Sequence, residues 1–433
     1  MLHALARRLP FYYGWVVVAV VFVSMGVAVN ARTAFSLLYP PILEEFGWDR
    51  AVTAGVFSFG FLVSAILSPL IGRTMDARGP RFTCGIGVVA TGAGLLLATL
   101  SSAPWHLYLT LGMLVGAGSV VLGYSGQGLW LPAWFVRRRG LAMSIAYAGV
   151  GVGSILLLPA MQTLIERSGW RTACIALGVV ALLVLAPLTL LLRRRPQDLG
   201  LQPDGDPAPV PGADATRRTN VVDAAWAQID WTLARALRTA RFWWLALGYF
   251  CGLLVWYLVQ VHQTKYLVEH GFSPAQAAFA LGMVSLVGVP GQIALGQLSD
   301  RIGREPVWAI GSLGFVGTYV ALLALPSFPS ALLLWTMVLL QGVLGYGMTS
   351  VFGAIPAEIF EGRHYGSIFG TLSLAAIAGG AAGPWLAGAI HDATGSYAIA
   401  FWIAILLSVL STVAIYRASP SGVRVVAGRM ARA

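Results

Sequence analysis

The chain has 433 residues, of which 58% are hydrophobic and 10% charged, and its mean hydropathy is +0.77. Soluble domains carry about 25% charged residues, so the composition excludes an ordinary soluble protein. A formal net charge of +11 suggests nucleic-acid binding, which the placement of the arginines excludes.

In chain order, apolar runs of about 20 residues, the length that crosses a ~30 Å hydrocarbon core, lie near 13–38, 51–72, 82–101, 105–129, 140–163 and 171–192. Six more follow near 241–266, 274–298, 306–325, 330–353, 365–389 and 397–416. Gly and Pro recur within them, as membrane helices tolerate. Alternating segments of the β-barrel kind do not appear. The predicted class is an all-α polytopic membrane protein with twelve transmembrane helices. The first run follows "MLHALARRLP". It is too long for the apolar core of a signal peptide and lacks a small-residue cleavage site, so it reads as an uncleaved helix. Cys84, Cys174 and Cys251 stand apart inside runs, so neither a disulfide framework nor a metal site is expected. No cofactor is expected either.

Arg7 and Arg8, Arg73, Arg78 and Arg81, Arg137–Arg139, Arg193–Arg195, Arg301 and Arg304, Arg363 and the tail arginines fall in alternate connections. The other connections hold only Arg50, Arg167, Arg171 and Lys265. This is the positive-inside bias. Both termini are therefore predicted to be cytoplasmic, and the basic excess reports topology and contact with anionic headgroups of the bilayer, with no nucleic acid as partner.

Two basic connections repeat a pattern, "GRTMDARGPR" from Gly72 and "GQLSDRIGRE" from Gly296, whose first glycines are 224 residues apart. Gly140 and Gly366, Gly153 and Gly379, and Gly169 and Gly395 are each 226 apart. A near-constant offset in separate regions implies two related six-helix halves, at 1–192 and 241–433. The 193–240 linker starts with a polar stretch rich in Pro and Gly, "RRRPQDLGLQPDGDPAPVPGADATRRTN", which is expected to be disordered. "DWTLARALRTARFWW" follows. It predicts a short interfacial helix with Trp231, Leu233 and Leu237 on one side and Arg235, Arg238 and Arg241 over the other.

Twelve spans, the six-plus-six repeat and the duplicated acid–base loops resemble the major facilitator superfamily, over nearly the whole chain. More narrowly, "YYGWVVVAVVF", "EEFGWDRA", "WFVRRRGLAMSIAYAGVGVGS" and "AEIFEGRHYGSIFG…GPWLAGAIHDATGSY" resemble the bacterial branch of monocarboxylate and oxalate/formate transporters. The resemblance implies two bundles rocking about a site near the bilayer midplane. It also implies that the repeated loops latch the cytoplasmic side, through Asp76 with Arg78 or Arg81 and Asp300 with Arg301 and Arg304. The residues themselves allow this, because an Asp facing a helix N-terminus is favoured by the backbone dipole. They also allow the charges to serve topology alone, but topology does not need an Asp at the same place in both halves.

None of the 17 acidic residues falls in the middle of a span, Glu358 being the nearest. Arg32, in "VNARTAFSLL", is the cation placed inside a helix. An arginine in hydrocarbon costs about 2.5–3.5 kcal/mol on insertion scales, so it should face a wet cavity or reach outward to the headgroups. In the resembled branch a first-span cation near this position binds the substrate carboxylate. The eighth-span arginine of that branch is replaced by Gln292, and the eleventh span lacks the lysine of the oxalate transporters. A single cation suits a monoanion with an apolar body better than a dianion. Polar candidates beside Arg32 are Asn30, Tyr124, Gln127, Tyr147, Tyr257, Gln260, His262, Gln292, Gln341 and Tyr346. Each has the alternative of a hydrogen bond between packed helices, and His262 that of an interfacial, solvated ring. Small residues around Gly140, Gly149 and Gly153 match Gly366, Gly379 and Gly383 loosely and predict close helix packing.

The resulting expectation is a monomeric inner-membrane secondary transporter for a small organic monocarboxylate, working by alternating access, with protons as a candidate co-substrate. No Walker loop or nucleophile–base pair indicates an enzyme. An efflux carrier for amphipathic or cationic compounds would call for a buried carboxylate. A transporter-like sensor would call for a longer central loop.

Overall fold

The computed structural model describes residues 9–48, 50–206 and 220–430. Among these residues β pairing is confined to one isolated antiparallel bridge, Val221 with Arg424. Among the described residues ten apolar helical stretches are long enough to cross a membrane. Two are of double length, Gly55–Ala98 and Arg139–Thr189, so the number of crossings is twelve. The joints are at Gly79 (φ 75°) and Gly169 (φ 81°), and the corresponding joints of the other half carry Gly303 (φ 106°) and Gly395 (φ 72°). Positive φ of this kind is cheap only for glycine. Pro80, directly after Gly79, opens the third span, where its missing N–H costs nothing.

The remaining spans are helical over Gly14–Thr33, Ala240–Glu269, Pro274–Ile302, Arg304–Ala324, Tyr365–Thr394 and Ala398–Ala418. The fourth and tenth, Pro104–Trp134 and Ala331–Ile359, each widen into a π-helical stretch, at Tyr108–Val115 and Leu340–Gly345. Such insertions were not legible in the apolar pattern. On the twelfth span Ile399, Trp402, Leu406, Val409 and Val413 are all exposed. Their three- and four-residue spacing makes one apolar stripe, which fits contact with lipid.

Two compact units result, containing the described residues of Met1–Val136, Ile145–Ala213 and His364–Thr371 in one, and of Arg137–Ser144, Asp214–Arg363 and Leu372–Ala433 in the other. Within the first, a Cβ on Gly149 would strike the Phe22 carbonyl and one on Gly153 the Gly26 carbonyl. Within the second, Gly379 meets the Phe250 carbonyl and Gly383 the Leu254 carbonyl in the same way. By these contacts Gly149 corresponds to Gly379 and Gly153 to Gly383, as the loose match of the small residues has it, whereas the 226-residue offset pairs Gly153 with Gly379. The difference is four residues, close to one helical turn of 3.6 residues, so the glycine face is kept while its register slides.

The linker also differs from expectation. Residues 193–206 are ordered, with single turns at Pro196–Leu199 and Pro203–Gly205. Leu199 is buried and the Asp204 carboxylate accepts the Val136 N–H at 2.9 Å. Residues 207–219 of the expected disordered stretch lie outside the described residues. The expected interfacial helix shrinks to one turn, Leu233–Ala236, capped by Thr232. Trp231 is buried against Phe360, so the segment is anchored by packing and has no continuous amphipathic face.

Candidate functional site

Arg32 lies near the end of the first span and is half-buried. Its guanidinium carbon stands 3.4 Å from the ring centroid of Phe61 and 5.4 Å from that of Phe57. A cation over an aromatic face gains about 0.5–2 kcal/mol, which orients the guanidinium without neutralising it. The cleft it lines is otherwise apolar, walled by Phe35, Leu38, Val56, Leu111 and Val115 beside Gly60 and Gly116. Leu111 and Val115 come from the π-helical stretch of the fourth span.

The other predicted ligands do not line this cleft. Asn30 is turned to the fifth span, where its amide donates to Gly26 O (2.7 Å) and Val150 O (3.0 Å) and accepts from Ser154 Oγ (2.7 Å). Both amide hydrogens and one lone pair of its carbonyl oxygen are thus engaged in helix packing. Tyr147 is fully buried, donates to the Tyr124 carbonyl at 3.3 Å and meets the Tyr124 ring edge-on. Gln127 is buried beside Cys84 and donates to Leu122 O at 3.4 Å. In the second unit, Gln292 is buried and donates to Ser144 O at 3.2 Å. Tyr346 packs on Trp256 and over Gly288, and Gln260 accepts the Trp256 indole N–H. Tyr257 covers Gly380, and Gln341 is buried. His262 is held between Tyr397 and the Pro384 carbonyl, at 3.1 and 2.9 Å.

At the arginine-rich ends the two repeated loops form equivalent clamps, one in each unit. Asp76 accepts the Gly366 N–H (3.0 Å), the Ser367 N–H (2.7 Å) and the Ser367 hydroxyl (2.8 Å). Asp300 accepts the N–H groups of Gly140 (2.9 Å) and Leu141 (3.0 Å). Each carboxylate thus caps the first turn of another helix, where unpaired N–H groups and the dipole favour an anion. Gly72 and Gly296 permit this approach, because a Cβ on either would strike the Gly366 or Gly140 carbonyl. The basic partner of Asp76 differs from those expected, while that of Asp300 is one of the two expected. Asp76 is paired with Arg194 at 2.9 Å, while Arg78 stands over the Phe82 ring and Arg81 is exposed. Asp300 is paired with Arg304 at 2.6 Å, and Arg301 is exposed. Sequence reasoning read Arg194 as one arginine of a topological run, and nothing local marked it out.

Arg304 is wholly buried and also donates to Glu358 at 2.8 Å and Ser299 at 2.6 Å. Arg424, from the tail, donates to the Glu358 carbonyl and pairs with Glu361 at 3.1 Å. Glu358 is therefore committed to a structural ion pair and is not open to an organic cation.

The family model of the Major Facilitator Superfamily matches residues 20–355. The chain belongs to the Major Facilitator Superfamily. It is a multi-pass membrane transporter with alternating access and not an enzyme. Rat "Monocarboxylate transporter 13" is 28% identical over 401 residues, covering 90% of this chain and 86% of that protein. Mouse "Monocarboxylate transporter 11" is 29% identical over 407 residues, covering 90% and 84%. Among solved structures, the E. coli fucose:proton symporter matches with a TM-score of 0.68 at 15% identity, covering 93% of this chain and 97% of that one. At that identity the match speaks for the superfamily fold alone.

The strength of the Asp76 clamp is directly testable. Asp76→Asn removes the charge and puts an N–H donor where an acceptor is needed, and charge-assisted hydrogen bonds contribute about 1.5–3 kcal/mol each. Ser68, buried and bonded to the Gly370 carbonyl, is the reporter. In a background without native cysteines, Ser68→Cys should react several-fold faster with maleimide when Asp76→Asn is added. Equal rates in both backgrounds would show that Asp76 does not hold this contact.

Proposed function

We propose that the chain moves a small organic monocarboxylate across the inner membrane, with both termini cytoplasmic and the protein acting as a monomer. The observation that carries the reading is the Arg32 guanidinium on the wall of an apolar cleft, oriented by Phe61. The printed names of the rat and mouse relatives support the substrate class. In this reading residues 1–192 and 241–433 are the two moving halves, joined by 193–240, and the Asp76 and Asp300 clamps secure the cytoplasmic side. Tyr124, Gln127, Tyr147, Tyr257 and Tyr346 shape helix packing around the pathway. The arginine binds the carboxylate and the aliphatic wall takes the apolar remainder, which favours monoanions over dicarboxylates.

Purified protein in proteoliposomes, loaded with unlabelled pyruvate and diluted into labelled pyruvate, should show saturable exchange. Unlabelled monocarboxylates of up to six carbons should compete, and succinate and quaternary ammonium compounds should not. Exchange driven by a cation instead would overturn the substrate class.

A further inference from the structure

The hydrogen bonds of His262 settle its proton inventory. The Pro384 carbonyl oxygen, 2.9 Å from Nε2, can only accept, so Nε2 carries hydrogen. In the neutral ring Nδ1 is then a lone pair, and the Tyr397 hydroxyl at 3.1 Å donates to it. Both partners also suit the cation, since a phenol oxygen accepts as readily as it donates. We infer that His262, with Tyr397 and the Pro384 carbonyl, is the proton-binding site of this transporter, an inference that rests on the transport reading above. Binding adds a proton to the Nδ1 lone pair. Tyr397 rotates its O–H away, and Nδ1–H···O replaces O–H···Nδ1. Release on the other side reverses this, with no other bond made or broken.

Placement favours a coupling role over a purely structural one. The site ties the seventh span to the eleventh at Pro384, whose ring removes a helix N–H, amid Gly379, Gly380, Gly383 and Gly388. A change of charge at the ring is therefore delivered beside Pro384, where the eleventh span lacks a backbone N–H. The titratable groups around it are His391, whose ring is 4.3 Å from that of Tyr397, with Tyr266 and His270 on the seventh span and Glu269 beside them. Lys265 and Asp392 adjoin in sequence, and their side chains lie outside the described set. With no acidic residue in mid-span, imidazole is the group here whose charge changes between about pH 5 and 8.

Two measurements on the full-length protein test this. Nitrogen NMR of histidine-labelled protein, recorded as the pH is stepped down from about 8 to 5 and with His262→Gln assigning the resonance, should show Nδ1 passing from acceptor to protonated. In proteoliposomes the ratio of pH-gradient-driven pyruvate accumulation to pyruvate exchange should fall at least about tenfold in His262→Gln, a loss of about 1.4 kcal/mol of coupling. A ring that does not titrate in this window, or a variant that keeps the wild-type ratio, overturns the inference. If wild-type protein moves no pyruvate, the substrate reading fails, and the titration still decides the proton site.

Discussion

Arg304→Met should lower the thermal midpoint of the purified protein by about 6 °C or more. Removing one partner of a buried ion pair costs about 3–5 kcal/mol, and each kcal/mol moves the midpoint of a domain of this size by about 2–4 °C. The cost arises because Asp300 and Glu358 both stay behind. Arg304 is wholly buried, with 2.6 and 2.8 Å contacts to the two carboxylates. Methionine fills much of the volume, so the loss reports charge and not a cavity. Adding Glu358→Gln should recover part of the midpoint, since Asp300 alone is still held by the N–H groups of Gly140 and Leu141. The check is thermal unfolding in detergent of the wild type and the single and double variants. A single variant within about 1 °C of wild type would mean that the carboxylates do not depend on Arg304.

The second large effect is on binding. Arg32→Gln and Arg32→Ala should lose monocarboxylate binding by far more than tenfold, that is, by more than about 1.4 kcal/mol, with folding and insertion intact. Arg32→Lys should keep part of the affinity, because an ammonium supplies the charge but neither the planar fork nor the stacking on Phe61. The aromatic contact predicts a further ordering. Phe61→Leu should weaken binding less than any Arg32 variant, since it loosens the orientation of the guanidinium and leaves its charge. Calorimetry with the best monocarboxylate of the exchange assay measures all of these. Arg32→Gln binding within about twofold of wild type would sink the anion site and return Arg32 to the role of a headgroup contact.

A designed second cation does not follow from the structure. Gln292→Arg would restore the eighth-span arginine of the resembled branch. The Gln292 side chain is buried and donates to the Ser144 carbonyl. An arginine there would have to displace that packing before meeting any substrate.

The polar residues of the spans illustrate how far a sequence reaches. Asn30 and Arg32 are two residues apart on one helix, and 3.6 residues per turn puts them on nearly opposite faces. That much was legible. Which face met the cleft was not, because it depends on where the fifth and second spans lie. Asn30 faces Val150 and Ser154, and Arg32 faces Phe57 and Phe61. Ser154 donates its hydroxyl to the Asn30 amide oxygen. His262 could be read as titratable, but its two partners come from Pro384 and Tyr397, over a hundred residues away.

The sequence by itself determined the twelve membrane crossings, the duplication and the turns. Apolar length, arginine placement and glycine at positive φ are local requirements of a helix in lipid and of a tight joint. The two clamp aspartates were legible for the same reason, as an acid repeated at one place in both halves. Only the tertiary structure decided what each acid holds. Asp76 finds Arg194 and the first N–H groups of the eleventh span, and Arg304 joins Asp300 to Glu358. Such partners are chosen by which helix ends approach closely enough to exclude water, a distance that no period or spacing along one helix contains.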